Sequence, residues 1–171
     1  IIKPTSTAVL GSPMGDLEPI FAAEQPAQLW RAGREFELEA NELAVGGRVI
    51  DLVTPGARYD QLFIPFHGAH QGRNLATAIV AVEAFFDRPT SQELIEYALT
   101  TVELPARFEV VSHDPIIILD GAHNPDGAAA ASATLREAFA RLGSWVLVVG
   151  MLSGKDPAEM LEALGAADFD A

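Results

Sequence analysis

Asp120, Gly121 and His123 stand directly after the apolar run Ile116-Ile117-Ile118-Leu119, and Asn124-Pro125 opens an alanine-rich stretch behind them. These residue types suit an anionic ligand that carries a sugar. An aspartate at the exit of a strand can accept hydrogen bonds from a ribose without competing with the ladder. A glycine lets a ligand come close to the backbone, and a histidine near a helix N-terminus sits where anions collect. In open α/β sheets ligands lie beyond the carboxyl ends of the strands, which is where Asp120 and His123 fall. An aspartate in this place can equally cap the helix that starts at Pro125, and the residues alone leave both readings open.

Other candidates lie on either side. Arg107 follows Pro105 and precedes a strand; its planar guanidinium fits phosphate oxygens in a way that lysine does not, although a lone arginine is more often a solvated surface charge. Asn74, in His70-Gln71-Gly72-Arg73-Asn74, stands near the start of a helix. An amide there can cap the helix, and its side chain can also donate and accept hydrogen bonds side by side. His67 and His70 have no nearby pair of carboxylates, so they read as structural and no metal site is expected within the chain. Lys155, in Gly154-Lys155-Asp156-Pro157, follows an apolar run; it is either a solvated loop lysine or a group that positions phosphate or an incoming amino acid. Nowhere does the chain read Gly-x-x-x-x-Gly-Lys-Ser/Thr, the loop that cradles phosphates. No catalytic residue is assigned.

The elements that would position these residues follow from pattern. A short strand over Thr7 to Gly11 leads to a helix that Asp16 could cap, ending near Glu24. From Leu29 to Phe66 the alternation changes to period two, with Gly46-Gly47 and Pro55-Gly56 as turns, which predicts an antiparallel meander. Gly72 to Phe86 reads as a helix with Leu75, Ile79, Val82 and Phe86 on one face. Thr90 and Glu93 suggest a capping box for a second helix reaching Val102. Glu103-Leu104-Pro105-Ala106 is the best candidate boundary, because proline stops a helix and fixes an extended exit. Beyond it the pattern predicts strands Phe108 to Ser112 and Ile116 to Asp120, helix Asp126 to Leu142, strand Trp145 to Met151 and helix Pro157 to Leu164. The last two strands with the helix between them make a right-handed βαβ unit with parallel pairing.

A chain of 171 residues that is 49% apolar can bury a real core. Eleven basic residues against 24 acidic ones give a net charge of −13, which argues against a nucleic-acid or anionic-membrane partner. With no cysteine, disulfides and thiolate metal sites are excluded. No apolar run approaches the roughly 20 residues that a membrane span needs. The start at Ile1-Ile2-Lys3-Pro4 has neither an initiator methionine nor a signal-peptide layout, and both ends read as though the chain were cut from a longer protein.

Taken in order, His70-Gln71-Gly72-Arg73-Asn74, Leu104-Pro105-Ala106-Arg107-Phe108-Glu109-Val110-Val111 and Asp120-Gly121-Ala122-His123-Asn124 resemble motifs from the second half of folylpolyglutamate synthases. Many bacterial members of that family also act as dihydrofolate synthases, and all belong to the Mur ligase superfamily of ATP-dependent amide-forming enzymes. The similarity runs over essentially the whole chain. It implies an α/β fold in which residues 1–103 end a central ATPase domain with an antiparallel β portion, and residues 104–171 open a Rossmann-like C-terminal domain with parallel strands. It also implies a monomeric, cytoplasmic enzyme of folate and one-carbon metabolism whose substrates are ATP with Mg²⁺, a folate or dihydropteroate, and glutamate. In the family the asparagine matching Asn74 recognises adenine, the aspartate matching Asp120 contacts the ribose, the histidine matching His123 lies near the phosphates, and the arginine matching Arg107 holds the nucleotide. The phosphate loop, Mg²⁺ ligands and modified lysine of the family would precede Ile1, so the chain alone is expected to be inactive.

The sequence departs from the family at Ala106, where glycine is commoner, and at Gly154, where an acid is commoner. A peptidoglycan- or cyanophycin-type ligase would share the ATP machinery. A nucleotide-binding module without catalysis is the reading from another class, and a dinucleotide version of it lacks the Gly-x-Gly-x-x-Gly that should follow the strand.

Overall fold

In the computed structural model, residues 2–140, 143–152 and 156–170 are described. The chain is α/β and divides into two compact units, Ile1–Pro65 with Ala69–Val102, and Phe66–Gly68 with Glu103–Ala171.

In the first unit, β1 (Thr7–Leu10) and β2 (Gln28–Arg31) pair in parallel, with α1 (Glu18–Ala23) in the connection between them. β3 (Glu37–Ala44), β4 (Gly47–Val53) and β5 (Arg58–Ile64) form an antiparallel sheet in that order. The predicted meander therefore holds for these three strands, while residues 28–31 belong to the other sheet. Alternation does what it should: Ile50, Leu52, Leu62 and Ile64 all point inward and are fully buried. Against them lies α2 (Ala69–Phe86), which also packs on β1, and α3 (Gln92–Thr101) covers β5.

The buried stripe of α2 differs from the predicted one. It runs through Gly72, Ala76, Ile79, Val80 and Glu83, leaving Val82 and Phe86 exposed. The reason is a polar knot: the Tyr59 hydroxyl sits between the Glu83 carboxylate and the Thr90 carbonyl, and the Thr90 amide donates back to it at 3.2 Å. Burial, and then the neighbouring carboxylate, push the Tyr59 phenol above its ordinary pKa. With its carbonyl and amide engaged, Thr90 does not cap α3. Ser91 does, accepting from the Leu94 amide at 3.4 Å. Asp16 likewise lies in a short 3₁₀ turn ahead of α1, whose cap position is Leu17.

The second unit contains β6 (Glu109–His113), β7 (Ile116–Leu119), α4 (Pro125–Phe139) and α5 (Pro157–Leu164). α4 and α5 pack together, with Ala128, Ala131 and Met160 buried and the Ser132 hydroxyl donating to the Leu164 carbonyl at 2.7 Å. Asp156 caps α5 by accepting from Ala158 and Glu159, and Gly165 ends it in the left-handed conformation at φ 68°.

The predicted parallel pairing of Ile116–Asp120 with Trp145–Met151 is not formed. β7 pairs antiparallel with β6, from Glu109 opposite Leu119 to His113 opposite Ile116, and residues 145–151 form no strand. An apolar run becomes a strand only when a ladder receives its backbone groups. Here Trp145 spends its amide on the Asp170 carboxylate at 2.7 Å and its carbonyl on the Asp170 amide at 2.9 Å, while Val146 and Val148 stay exposed. Among the described residues the parallel pair is β1 with β2.

Candidate functional site

Two hydrogen bonds join the turn ahead of β6 to the exit of β7, and one more closes each of the two segments. The Arg107 amide donates to the Leu104 carbonyl at 3.2 Å, closing a turn over Pro105. The Gly121 amide donates to the Ala106 carbonyl at 2.7 Å. The Phe108 amide donates to Asp120 Oδ2 at 2.9 Å, and the Ala122 amide to Asp120 Oδ1 at 2.8 Å. Glu109 adds a brace, its Oε2 accepting from the Ala106 amide at 2.8 Å.

The geometry of this turn is unusual. Ala106 and Phe108 both lie in the left-handed region at φ 53°, which costs a residue with a side chain about 1–2 kcal/mol. Ala106 is the position where the resemblance led us to expect glycine, so the backbone there is one that glycine would adopt without strain. Gly121 is required for a second reason. A Cβ built on it would stand 3.2 Å from the Ala106 carbonyl oxygen, tighter than the clamp allows without a shift.

Phe108 anchors the turn from below. It is buried and packs with His67 and Phe139, ring centroids 6.0 and 5.8 Å away, while His67 meets Phe139 edge-on at 5.3 Å. His67 Nδ1 is buried with no hydrogen-bond partner among the described residues, and burial holds the imidazole below its ordinary pKa. His67 is thus a neutral packing group, in keeping with the structural role read from sequence.

On this scaffold the structure brings Arg107, Asp120 and His123 to one end of the second unit. Arg107 is exposed between the two left-handed residues, and among the described residues no carboxylate pairs with it. Asp120 does not cap the helix; Asn124 does, accepting from the Gly127 amide at 2.7 Å. The Asp120 carboxylate instead ties two stretches of backbone together. A carboxylate has about four lone-pair positions, so two acceptor positions remain on this exposed group. His123 is exposed immediately before the cap, at the positive end of α4. Sequence reading missed Phe108 and Glu109 as the residues that shape the turn, although both stood beside Arg107 in the quoted motif.

Asn74 lies in the first unit, in the second turn of α2. The helix starts at Ala69, earlier than predicted, so Asn74 is no cap. Its side chain is exposed, with Nδ2 donating to Gln71 Oε1 at 3.3 Å. Nearby, a groove of about 270 Å³ opens beyond the carboxyl ends of β1 and β2, lined by Ser12, Gly33, Asn41 and Arg73 among others. His70 lies in the first turn of α2. Lys155 lies outside the described residues. Among the described residues no group of three His, Asp or Glu side chains converges as a metal site, and no helix is long and apolar enough to cross a membrane.

Residues 106–170 match the family described as Mur ligase, glutamate ligase domain. Over 95% of its length the chain is 33% identical to a dihydrofolate synthase/folylpolyglutamate synthase of Mycobacterium tuberculosis, and over 98% it is 31% identical to a folylpolyglutamate synthase of Lacticaseibacillus casei. The chain belongs to the folylpolyglutamate synthase family of Mur ligases. It spans 34% and 40% of the length of those two relatives. A structure of Mycobacterium tuberculosis folylpolyglutamate synthase complexed with ADP superposes with a TM-score of 0.84 at 30% identity, covering 98% of this chain and 39% of that one. A folylpolyglutamate synthase complex with AMPPCP and folate superposes equally well, at 28% identity over 100% of this chain and 42% of that one. Arg107, Asp120 and His123 fall inside the matched glutamate ligase domain; Asn74 lies ahead of it, in the stretch that these whole-length relatives also cover.

Proposed function

We propose that this chain is part of an ATP-dependent ligase that joins glutamate to a folate. Residues 1–103 belong to its central ATPase domain and residues 104–171 to its C-terminal domain. The single observation that carries the reading is the clamp of the Ala106–Phe108 turn onto Asp120 and Gly121, which sets a guanidinium, a carboxylate with spare acceptor positions and a helix N-terminus at one end of the matched domain.

In this reading Asp120 accepts from the ribose hydroxyls while it holds the turn. Arg107 offers its fork to phosphate oxygens, His123 stands by the same anion at the start of α4, and Asn74 meets the adenine edge. Lys155 positions phosphate or the incoming amino acid. The γ-phosphoryl group of ATP passes to the folate carboxylate, making an acyl phosphate. The glutamate amine then attacks the acyl carbon, an amide C–N bond forms, and inorganic phosphate leaves. The task of these residues is positioning and charge neutralisation. Mg²⁺, expected with ATP, would neutralise phosphate charge when bound; among the described residues no cluster of three His, Asp or Glu side chains offers it ligands. The protein would act in the cytoplasm as a monomer.

Glutamate incorporation by the full-length polypeptide tests the reading. The expected result is amide formation that needs ATP, a folate and glutamate together, with none from the 171-residue chain alone. ATP hydrolysis indifferent to folate and glutamate would overturn it.

A further inference from the structure

The start of α2 is tied to β3 and β4 by side-chain hydrogen bonds as well as by packing. Arg48, on β4, is buried at 2% exposure, and its Nε donates to Asn41 Oδ1 at 2.6 Å while Nη2 donates to the Asn41 carbonyl at 2.6 Å. Asn41, on β3, passes the constraint on: its Nδ2 donates to the Ala69 carbonyl at 2.8 Å. Gly72 seats the helix on that same amide, since a Cβ there would stand 2.6 Å from Asn41 Oδ1. Two strands thus fix the first turn of α2 through one buried cation and one amide.

Gln71 lies in that turn with its side chain buried at 6% exposure, and it holds the exposed Asn74 amide through Oε1. An unrestrained asparagine amide is free to turn end over end. Accepting one N–H of Nδ2 at Gln71 leaves Oδ1 and the second N–H of Asn74 as a fixed acceptor–donor pair. Adenine presents the complementary pair, an amino donor beside a ring-nitrogen acceptor. A turned amide would set acceptor against acceptor and donor against donor.

We propose that Gln71 is a positioning residue for nucleotide binding, acting through Asn74 by fixing the orientation of its amide before the base arrives. This rests on the reading of Asn74 as the adenine-recognising residue. The benefit is preorganisation: a side chain already ordered loses less freedom on binding. Gln71 does not touch the nucleotide.

The test is a double-mutant cycle in the full-length ligase, reading the KM for ATP, kcat and melting temperature. Gln71→Leu fills a similar volume and removes the acceptor; it should raise the KM for ATP roughly three- to tenfold with kcat within about twofold of wild type. Gln71→Glu keeps an acceptor oxygen and should stay within about twofold of wild type. In an Asn74→Ala background, Gln71→Leu should add nothing further, because its effect runs through Asn74. An unchanged KM in Gln71→Leu overturns the proposal, as does an effect that persists in full without the Asn74 side chain, the signature of a merely structural role. If Asn74→Ala itself leaves the KM for ATP unchanged, the adenine reading falls, and this proposal with it.

Discussion

Two β-rich regions of this chain share an isoleucine- and leucine-rich composition and are held in opposite ways. In the first unit Ile50, Leu52, Leu62 and Ile64 are fully buried in a sheet that α2 and α3 cover, and the sheet is stabilised mainly by removing apolar surface from water. In the second, Ile116, Ile117 and Leu119 of β7 remain 38%, 45% and 47% exposed. That hairpin is held by its ladder to β6 and by the Asp120 and Gly121 clamps, which are polar and directional. The difference teaches where the site can be altered. Substitutions in the first region act through cavities, whereas in the second they act through hydrogen bonds and backbone conformation.

The largest contrast should come from truncating one isoleucine in each region. Ile50→Ala is expected to destabilise the chain by about 2–5 kcal/mol, the range for a buried aliphatic side chain. Ile117→Ala should cost less than about 1 kcal/mol, since much of its surface already meets water. Equal losses in denaturant melts of the two variants would break the comparison.

Asp120→Ala should come next, and it should do two things at once. Loss of two backbone amide partners of a carboxylate is expected to lower stability by about 1.5–3 kcal/mol, and loss of the proposed ribose contact to raise the KM for ATP roughly tenfold or more in the full-length protein. A variant with altered ATP kinetics and an unchanged melt would show that the clamp contributes little.

Ala106→Gly should move the other way. Relief of the left-handed strain is expected to stabilise the chain by about 1 kcal/mol, after the entropy that glycine costs is set against it. A lowered melting temperature would show that the turn is not strained as described.

The smallest effect concerns pH in the first unit. The Arg31 guanidinium donates to both Glu35 oxygens and holds the Glu35 carboxyl down to about 2 from an ordinary 4.5. A depressed folded-state pKa stabilises above the unfolded value and is lost as pH falls through the folded one. The contribution should therefore be full above about pH 4.5 and fade towards pH 2. At a part-exposed site it should stay below about 1 kcal/mol. Glu35→Gln should lower stability by that small amount near neutrality and flatten the acid limb of a stability profile in that window, so that the two proteins converge towards pH 2.

Elements whose signals lie within a few residues were legible from the chain by itself. α5 shows its limits in Asp156-Pro157 and Gly165, β4 shows its inward face by strict alternation, and Arg107, Asp120, His123 and Asn74 were picked out by residue type and motif. What tertiary structure decided was partnership. Nothing local says that β2 pairs in parallel with β1, that Glu83 is buried because Tyr59 needs it, that Ser91 rather than Thr90 caps α3, or that Trp145 bonds to Asp170 instead of joining a sheet. The role of Asp120 divides in the same way. Its type and its place at a strand exit were plain in the sequence, but its use as a clamp on Phe108 required a turn twelve residues earlier to come within 3 Å. Hydrophobic periodicity records only which side of an element avoids water, whereas a hydrogen bond is defined by its second atom, and that atom is brought there by the fold.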